Sequence, residues 1–125
     1  MTTARAVRGA RNHRNGSRAE DAACAALEAD GWRILARRLR TGAGEIDVVA
    51  DRDGVLAVVE VKQRATLADA AAALSSRQQH RLLAAADAML AVHPDWGAAG
   101  VRFDVMVVDR TGAIRRIADA FRLEA

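Results

Sequence analysis

The sequence is poor in the residues that cross-link a chain or stack against bases. Of 125 residues, one is cysteine, none is tyrosine, and aromatic side chains make up 3% of the chain. Cys24 therefore cannot form a disulfide within the chain, and its place among alanines is typical of a small core residue. The scarcity of aromatic side chains argues against a surface that stacks the bases of a single strand.

Long apolar runs are also lacking. No run approaches the ~20 residues that a membrane-spanning helix needs, and the basic N-terminal stretch has no apolar core of the kind found in a secretory signal. We therefore expect a cytoplasmic protein with no membrane partner. Hydrophobic residues make up 51% and charged residues 28% of the chain, as in a globular protein with one core. The sequence predicts one domain over residues 16–125, preceded by a flexible basic arm over residues 1–15.

The basic residues are unevenly distributed. The net charge is +3, yet residues 1–18 hold five arginines and no acidic residue. A basic segment of this kind suits contact with a phosphate backbone without sequence reading. Arg8, Arg11, Arg14 and Arg18 are therefore candidate nucleic-acid contacts, and the alternative is a disordered, solubilising tail.

A β-hairpin is predicted over residues 44–62, which read GEIDVVADRDGVLAVVEVK. Two runs of alternating apolar residues flank Asp53-Gly54, a dipeptide suited to a two-residue turn. With that turn, Arg52 faces Val55, and the register of the whole hairpin follows.

Four charged side chains share one face of the predicted hairpin. Counting back from the turn places Asp47 opposite Glu60 and Glu45 opposite Lys62. Opposed Cβ atoms lie only ~4.5–5.5 Å apart, and like charges in this relation destabilise a sheet. The facing carboxylates therefore predict a divalent cation, Mg²⁺ or Mn²⁺. The spacing leaves open a Glu45–Lys62 ion pair on a solvated face, with Asp47 and Glu60 merely polar.

Lys62 is the only lysine among 19 basic residues. Arginine is a permanently charged fork, whereas the pKa of a lysine ammonium can move when it is desolvated or lies near a metal. Lysine at this position therefore favours a group that positions water or takes part in acid–base chemistry.

These residues together resemble a known family. An aspartate followed across a turn by Glu-x-Lys is similar to the PD-(D/E)XK nucleases, whose fold is restriction-endonuclease-like. More closely, GEID at 44–47, EVK at 60–62 with Arg64, and RFD at 102–104 resemble the YraN family of small bacterial proteins related to Holliday-junction resolvases. The chain departs from the family pattern in lacking an aromatic-glycine pair after Arg64 and in having Gln78 where lysine is common.

The resemblance implies a metal-dependent endonuclease that hydrolyses phosphodiester bonds in DNA, with branched or structured DNA among its substrates and RNA less favoured. It implies that Asp47, Glu60 and Glu20 hold Mg²⁺ or Mn²⁺, together with the Val61 carbonyl. Lys62 would orient the attacking water. The alternatives are a catalytically silent nucleic-acid-binding domain of the same fold and a small protein-binding adaptor. A homodimer is also compatible with the sequence.

Two helices are predicted. The first begins with a capping box formed by Ser17 and Glu20 and ends at Gly31, so Glu20 also has a purely structural explanation. The second begins at Ser75 or Ser76 and runs to Val92. Polar side chains at its start are candidate contacts to a scissile phosphate, and the arginine that follows the EVK motif is a candidate nucleic-acid contact. An ordinary solvated helix start is the alternative. These candidates are Arg64, Gln78, Gln79 and Arg81.

The remaining strands complete the predicted α/β fold. A first strand is expected over residues 32–40, with Trp32, Ile34 and Ala36 on one face. Two further strands follow the second helix, over residues 101–108 and 113–117. The first of these has an apolar face of alternate valines and a phenylalanine, with Arg102, Asp104 and Met106 on the other face. The order αβββαββ predicts a mixed sheet flanked by helices, with a restriction-endonuclease-like core.

Overall fold

A five-stranded mixed sheet with helices against it forms the fold, which confirms the predicted α/β class and element order. The computed structural model describes residues 18–66, 69 and 75–121. The elements are α1 over residues 18–29, β1 Arg33–Thr41, β2 Gly44–Arg52, β3 Val55–Gln63, α2 Ser76–Val92, β4 Gly100–Val108 and β5 Ile114–Phe121. Within these described residues, no helix is long and apolar enough to cross a membrane.

The strands lie in the sheet in chain order. The first three form antiparallel pairs, β3 and β4 are parallel, and β5 returns antiparallel to β4. Parallel neighbours need a crossover connection, which α2 supplies. The predicted turn at Asp53-Gly54 joins β2 to β3, with φ of 52° and 84° at its two residues, and Arg52 pairs with Val55. The predicted hairpin register is confirmed from this pair to Val48 and Val59.

Each face of the sheet carries its own apolar cluster. On the α1 side, Leu27 and the buried Cys24 pack against β2 and β3, and Met106 of β4 joins them. On the other side, the predicted apolar stripe of α2 packs against the sheet. It consists of Leu82, Leu83, Ala86, Met89 and Leu90. The central strands are consequently buried on both faces, as strands with parallel neighbours usually are.

The alternation predicted for β4 is confirmed, because Phe103 packs with the α2-side cluster and Met106 with the α1-side cluster. The face of Asp104 and Met106 is also buried, since these residues are 0% and 2% exposed, whereas Val101 is exposed at the start of the strand. A sequence pattern shows which side chains share a face but not which faces are covered.

The alternation predicted for the first strand also holds only in part. The strand begins at Arg33, and its register with β2 shifts between Ile34 and Ala36. Ile34 packs with the α1-side cluster, whereas Leu35 and Ala36 pack with the α2-side cluster. An extra residue at a bulge reverses the faces that follow it.

The second helix begins where the sequence predicted. The Ser75 side chain caps it by accepting a hydrogen bond from the Gln78 backbone nitrogen at 3.2 Å. At the other end, the His93 N–H donates to the Met89 carbonyl, and the helix stops before Pro94. This placement sets the N-terminus of α2 near the beginning of β2, where the Arg81 side chain lies against Gly44.

Candidate active site

The regular alternation of β2 breaks at Asp47. Ile46 packs on the α2 side and Val48 on the α1 side, although residues two apart in a regular strand lie on the same face. Arg38, which the register of β1 and β2 places opposite Asp47, has a left-handed φ of 50°. The expectation that Glu45 shares one face with Asp47 and the charged residues of β3 is therefore wrong, because it assumed unbroken strands.

Asp47 interacts with β3 through its side chain. The pairs of β2 and β3 run only as far as Val48 and Val59, so the predicted opposition of Asp47 and Glu60 lies beyond the last pair. There the Asp47 Oδ2 accepts the Val61 backbone N–H at 2.8 Å. A carboxylate oxygen takes the place that a backbone carbonyl would have in a continuing ladder. We infer that this carboxylate lies between the two strands rather than over one face of the sheet.

Negative charge accumulates around Asp47. Burial raises the pKa of this carboxyl to about 7, and the neighbouring charges of Glu60 and Glu20 act in the same direction. The Val61 N–H and the Lys62 ammonium oppose the shift but do not cancel it. The three acidic residues that the sequence singled out are therefore close enough in space to interact electrostatically.

Lys62 lies beside Glu60. Its Nζ is 3.2 Å from the Glu60 Oε1, and the two side chains are only 11% and 15% exposed. The alternative of an exposed Glu45–Lys62 pair is not what the structure has. Glu45 instead lies 3.7 Å from the exposed Arg40. The single lysine thus occupies a largely buried, acidic environment.

Glu20 is buried on α1 and pairs with β1. The Arg38 Nε donates to both of its carboxylate oxygens, at 2.8 and 3.0 Å. Sequence reasoning missed Arg38, which has no local signal that separates it from Arg37 and Arg40. Ser17 lies outside the described residues, so the capping box stays a prediction. Within the described part of the chain, no three Asp, Glu, His or Cys side chains form a group that could hold a metal ion.

The candidate nucleic-acid contacts lie in several places. Arg18 is exposed on α1, and Arg64, just beyond β3, donates to the Gln63 carbonyl at 2.8 Å. At the start of α2, Gln78 and Gln79 are half-buried. Close by, Arg81 is exposed next to the beginning of β2. The candidates of the N-terminal arm, Arg8, Arg11 and Arg14, lie outside the described residues.

Asp104 of the RFD motif has a structural environment. It is 0% exposed and accepts hydrogen bonds from the Arg116 Nη2 at 2.6 Å and the Arg102 Nη2 at 3.0 Å. The Asp119 backbone N–H also donates to it, at 2.8 Å. The guanidinium groups of Arg102 and Arg116 lie over the Trp32 ring, 4.8 and 5.0 Å from its centroid. The acid within the apolar run VRFDVMVV is the one sequence signal for this buried network.

Comparisons with known proteins agree with the motifs. The family model described as "Uncharacterised protein family UPF0102" matches residues 19–108, from α1 to the end of β4. The match therefore includes the charged cluster of Glu20, Asp47, Glu60 and Lys62. A UPF0102 protein of Granulibacter bethesdensis is 61% identical over 118 residues, which cover 94% of this chain and 75% of the relative. A UPF0102 protein of Azorhizobium caulinodans is 50% identical over 112 residues, 90% of this chain and 86% of the relative. The chain therefore belongs to the UPF0102 family, the YraN-like family that its motifs resemble.

Proposed function

We propose that the chain is a metal-dependent nuclease that hydrolyses phosphodiester bonds in DNA, with branched or structured DNA among its substrates. The observation that carries the proposal is the buried cluster at the interruption between β2 and β3. Asp47, Glu60 and Lys62 meet there, and the pKa of Asp47 is raised to about 7 by burial and by nearby carboxylates. A carboxyl group with a strongly raised pKa beside a single lysine is more typical of a reactive site than of a solvated sheet face.

The donor set suits a divalent cation. Carboxylate oxygens are the ligands that Mg²⁺ and Mn²⁺ prefer, and the pKa of Asp47 is raised first by burial and then by the nearby Glu60 carboxylate. We propose that Asp47 and Glu60 hold the ion with the Val61 carbonyl, and that Glu20 becomes a further ligand only by leaving its ion pair with Arg38, because the three carboxylates do not form a ready-made metal-binding group in the described structure. When bound, a divalent cation would polarise a phosphate oxygen and lower the pKa of a coordinated water.

Lys62 has the position that a transition-state contact requires. Its ammonium is largely removed from solvent, so it acts on nearby charge more strongly than it would in water. We propose that it orients the attacking water and stabilises the charge that develops on the phosphoryl oxygens. Glu60 keeps the ammonium in place through the 3.2 Å ion pair.

One observation favours a catalytically silent, nucleic-acid-binding alternative. Each acidic residue of the cluster already binds a donor of the protein. Asp47 binds the Val61 N–H, and the other two form ion pairs, Glu60 with Lys62 and Glu20 with Arg38. A cluster closed in this way could persist without a cation, and the protein would then bind DNA without cutting it.

Metal binding and cleavage distinguish the two functions. Calorimetry with Mn²⁺ should show a site in the wild type that is lost in Asp47→Ala and in Glu60→Ala. Asp51→Ala is the matched control. Asp51 lies on the same strand as Asp47 but beside the turn, and its ion pair with the exposed Arg33 is long, at 4.0 Å. Purified protein should then cut linear, flapped or four-way DNA with Mg²⁺ or Mn²⁺. Unchanged Mn²⁺ affinity in both cluster variants would refute the metal site, and DNA binding without cleavage would establish the alternative.

A further inference from the structure

The turn between β4 and β5 is built around Asp109. Its Oδ1 accepts hydrogen bonds from the Thr111 N–H at 2.9 Å, the Thr111 hydroxyl at 2.7 Å and the Ala113 N–H at 3.0 Å. Gly112, with φ of 85°, allows the chain to reverse. The turn thus has a defined shape, and the Asp109 carboxylate is used within it.

An arginine-lined cleft lies on each face of the sheet beside this turn. On the α1 side, a cleft of about 450 Å³ is lined by Arg18 and Arg110. On the opposite side, a cleft of about 320 Å³ is lined by Arg64 and Arg115. Val108 lines the first cleft and Val107 lines the second. Successive residues of a strand point to opposite faces of the sheet, so the two clefts lie on different faces. Asp109 is the single carboxylate that lines either cleft within the described residues.

The four cleft arginines are among the six described arginines that form no ion pair with a described carboxylate, and the other two are Arg77 and Arg81. The arginines that do form ion pairs with described carboxylates are Arg33, Arg37, Arg38, Arg40, Arg52, Arg102 and Arg116. Guanidinium groups without a counter-charge among the described residues, two to a cleft, suit the planar, bidentate recognition of phosphate.

The clefts also lie at the C-terminal ends of β3 and β4, close in the chain to Lys62 of the candidate active site. Gln63 directly follows Lys62 at the end of β3 and lines the α1-side cleft. In the parallel pair, it lies beside Val108, the last residue of β4. A phosphate backbone held in these clefts would therefore pass close to the cluster.

We propose that the β4–β5 turn is a clamp for duplex DNA, with the backbone of one DNA strand in each cleft. Two sheets that pack face to face lie ~10 Å apart, and the major groove of B-DNA is ~12 Å wide and admits a two-stranded β-ribbon. A ribbon tip that enters the groove has a phosphate backbone on either side, as the clefts have arginines on either face. The clamp rests on the proposed action on nucleic acid. It adds that the nucleic acid is double-stranded, and it adds two contact residues that the sequence did not suggest, Arg110 and Arg115.

Binding in EDTA tests the clamp without any cleavage. Fluorescence anisotropy of the full chain would be measured across salt concentrations with a short DNA duplex and with one of its single strands. The variants are Arg110→Gln, Arg115→Gln and the double variant. Arg33→Gln is the matched control, because its side chain is 77% exposed and pairs with Asp51 beside the β2–β3 turn. All three substituted residues are exposed, and thermal unfolding checks that each variant retains the fold.

The salt slope gives the expected result. On the duplex, each single variant should lower the slope of log Kobs against log salt by ~0.9 and the double variant by ~1.8, whereas the control should not change it. On the single strand, which occupies one cleft at a time, the double variant should lose only ~0.7. Slopes equal to that of the control, equal losses on the duplex and the single strand, or no binding of the duplex would overturn the clamp. Cleavage with unchanged salt slopes would support the nuclease function and refute the clamp. Lowered salt slopes without cleavage would support the clamp and refute the nuclease function.

Discussion

The Asp47 carboxylate accepts the Val61 backbone N–H at 2.8 Å, just beyond the last residue pair of β2 and β3. The two strands are joined by a tight turn at one end, and at the other a side chain takes over from the backbone ladder. This arrangement brings an acidic group into the interior of a sheet, close to the carboxylates of Glu60 and Glu20. The predictions on this charged cluster follow from two points. A partly buried carboxylate lowers the stability of the fold, and a nearby cation would offset that loss.

The stability of the metal-free protein should depend on Asp47 and pH. The pKa of Asp47 is raised from 3.8 to about 7, so the unfolded chain loses this proton at lower pH than the folded one. The free energy of unfolding should therefore fall as pH rises from about 4 to about 7, by at most ~4 kcal/mol, and change no further above that range. Asp47→Asn keeps an oxygen for the Val61 N–H but carries no charge, so it should lack this loss.

Urea unfolding in EDTA, at several pH values between these limits, measures the difference between wild type and Asp47→Asn. The two proteins should be most alike at the acidic end, with the variant the more stable at neutral pH. Parallel curves would show that neither burial nor the neighbouring carboxylates raise the pKa of Asp47. Saturating Mn²⁺ should raise the stability of the wild type alone at neutral pH, because a bound cation stabilises the folded state.

Glu20 can be tested through both sides of its ion pair. Glu20→Gln and Arg38→Gln break the same 2.8 Å contact, so they should cost similar stability. If Glu20 is a metal ligand, Glu20→Gln should lower the Mn²⁺ affinity by about 10–100-fold, a range known for residues that support metal sites. Arg38→Gln should preserve or raise the affinity, because it releases the carboxylate and removes a positive charge. Equal, unchanged affinities in calorimetry would restrict Glu20 to a structural role.

Lys62→Arg separates a positioning role from a simple ion pair. An arginine can replace lysine in an ion pair with Glu60, so metal binding and folding should be retained. The bulkier guanidinium should displace the attacking water, and a misplacement of ~1 Å can cost ~10²-fold in rate. We expect loss of at least that factor in cleavage rate, measured under conditions where the wild type cuts. Arg33→Lys, an exchange at an exposed position, is the control. Wild-type turnover in Lys62→Arg would return the lysine to a structural role.

Asp104 should matter for folding rather than for metal binding. Asp104→Ala leaves two arginines without their buried partner, so it should lower the free energy of unfolding by ~3–5 kcal/mol. Asp104→Asn keeps an acceptor and should cost less. The matched control is Asp21→Ala, which breaks a 2.6 Å ion pair with Arg37. The side chains of Asp21 and Arg37 are 65% and 40% exposed, so the loss of this pair should cost only ~0–1 kcal/mol. Equal costs at the two aspartates in urea unfolding would contradict the structural assignment.

Local features of the fold could be predicted because their causes lie close together in the sequence. The Asp53-Gly54 turn determines the register of the hairpin, since a two-residue loop leaves one way to pair the strands that it joins. Ser75 determines the start of α2, because its side chain caps a nitrogen only three residues away. In the candidate site, the grouping of Asp47, Glu60 and Lys62 followed from the hairpin alone.

The tertiary structure decided how those residues are held. The break at Asp47 depends on three neighbouring strands, and the partner of Glu20 is an arginine 18 residues away in the chain. Likewise, the buried Asp104 is bound by Arg102 and by an arginine 12 residues further on. Periodicity shows which side chains share a face, but the sequence alone does not show which element covers that face. Nor does it show which distant cation balances a buried acid, because both follow from contacts between segments that only folding brings together.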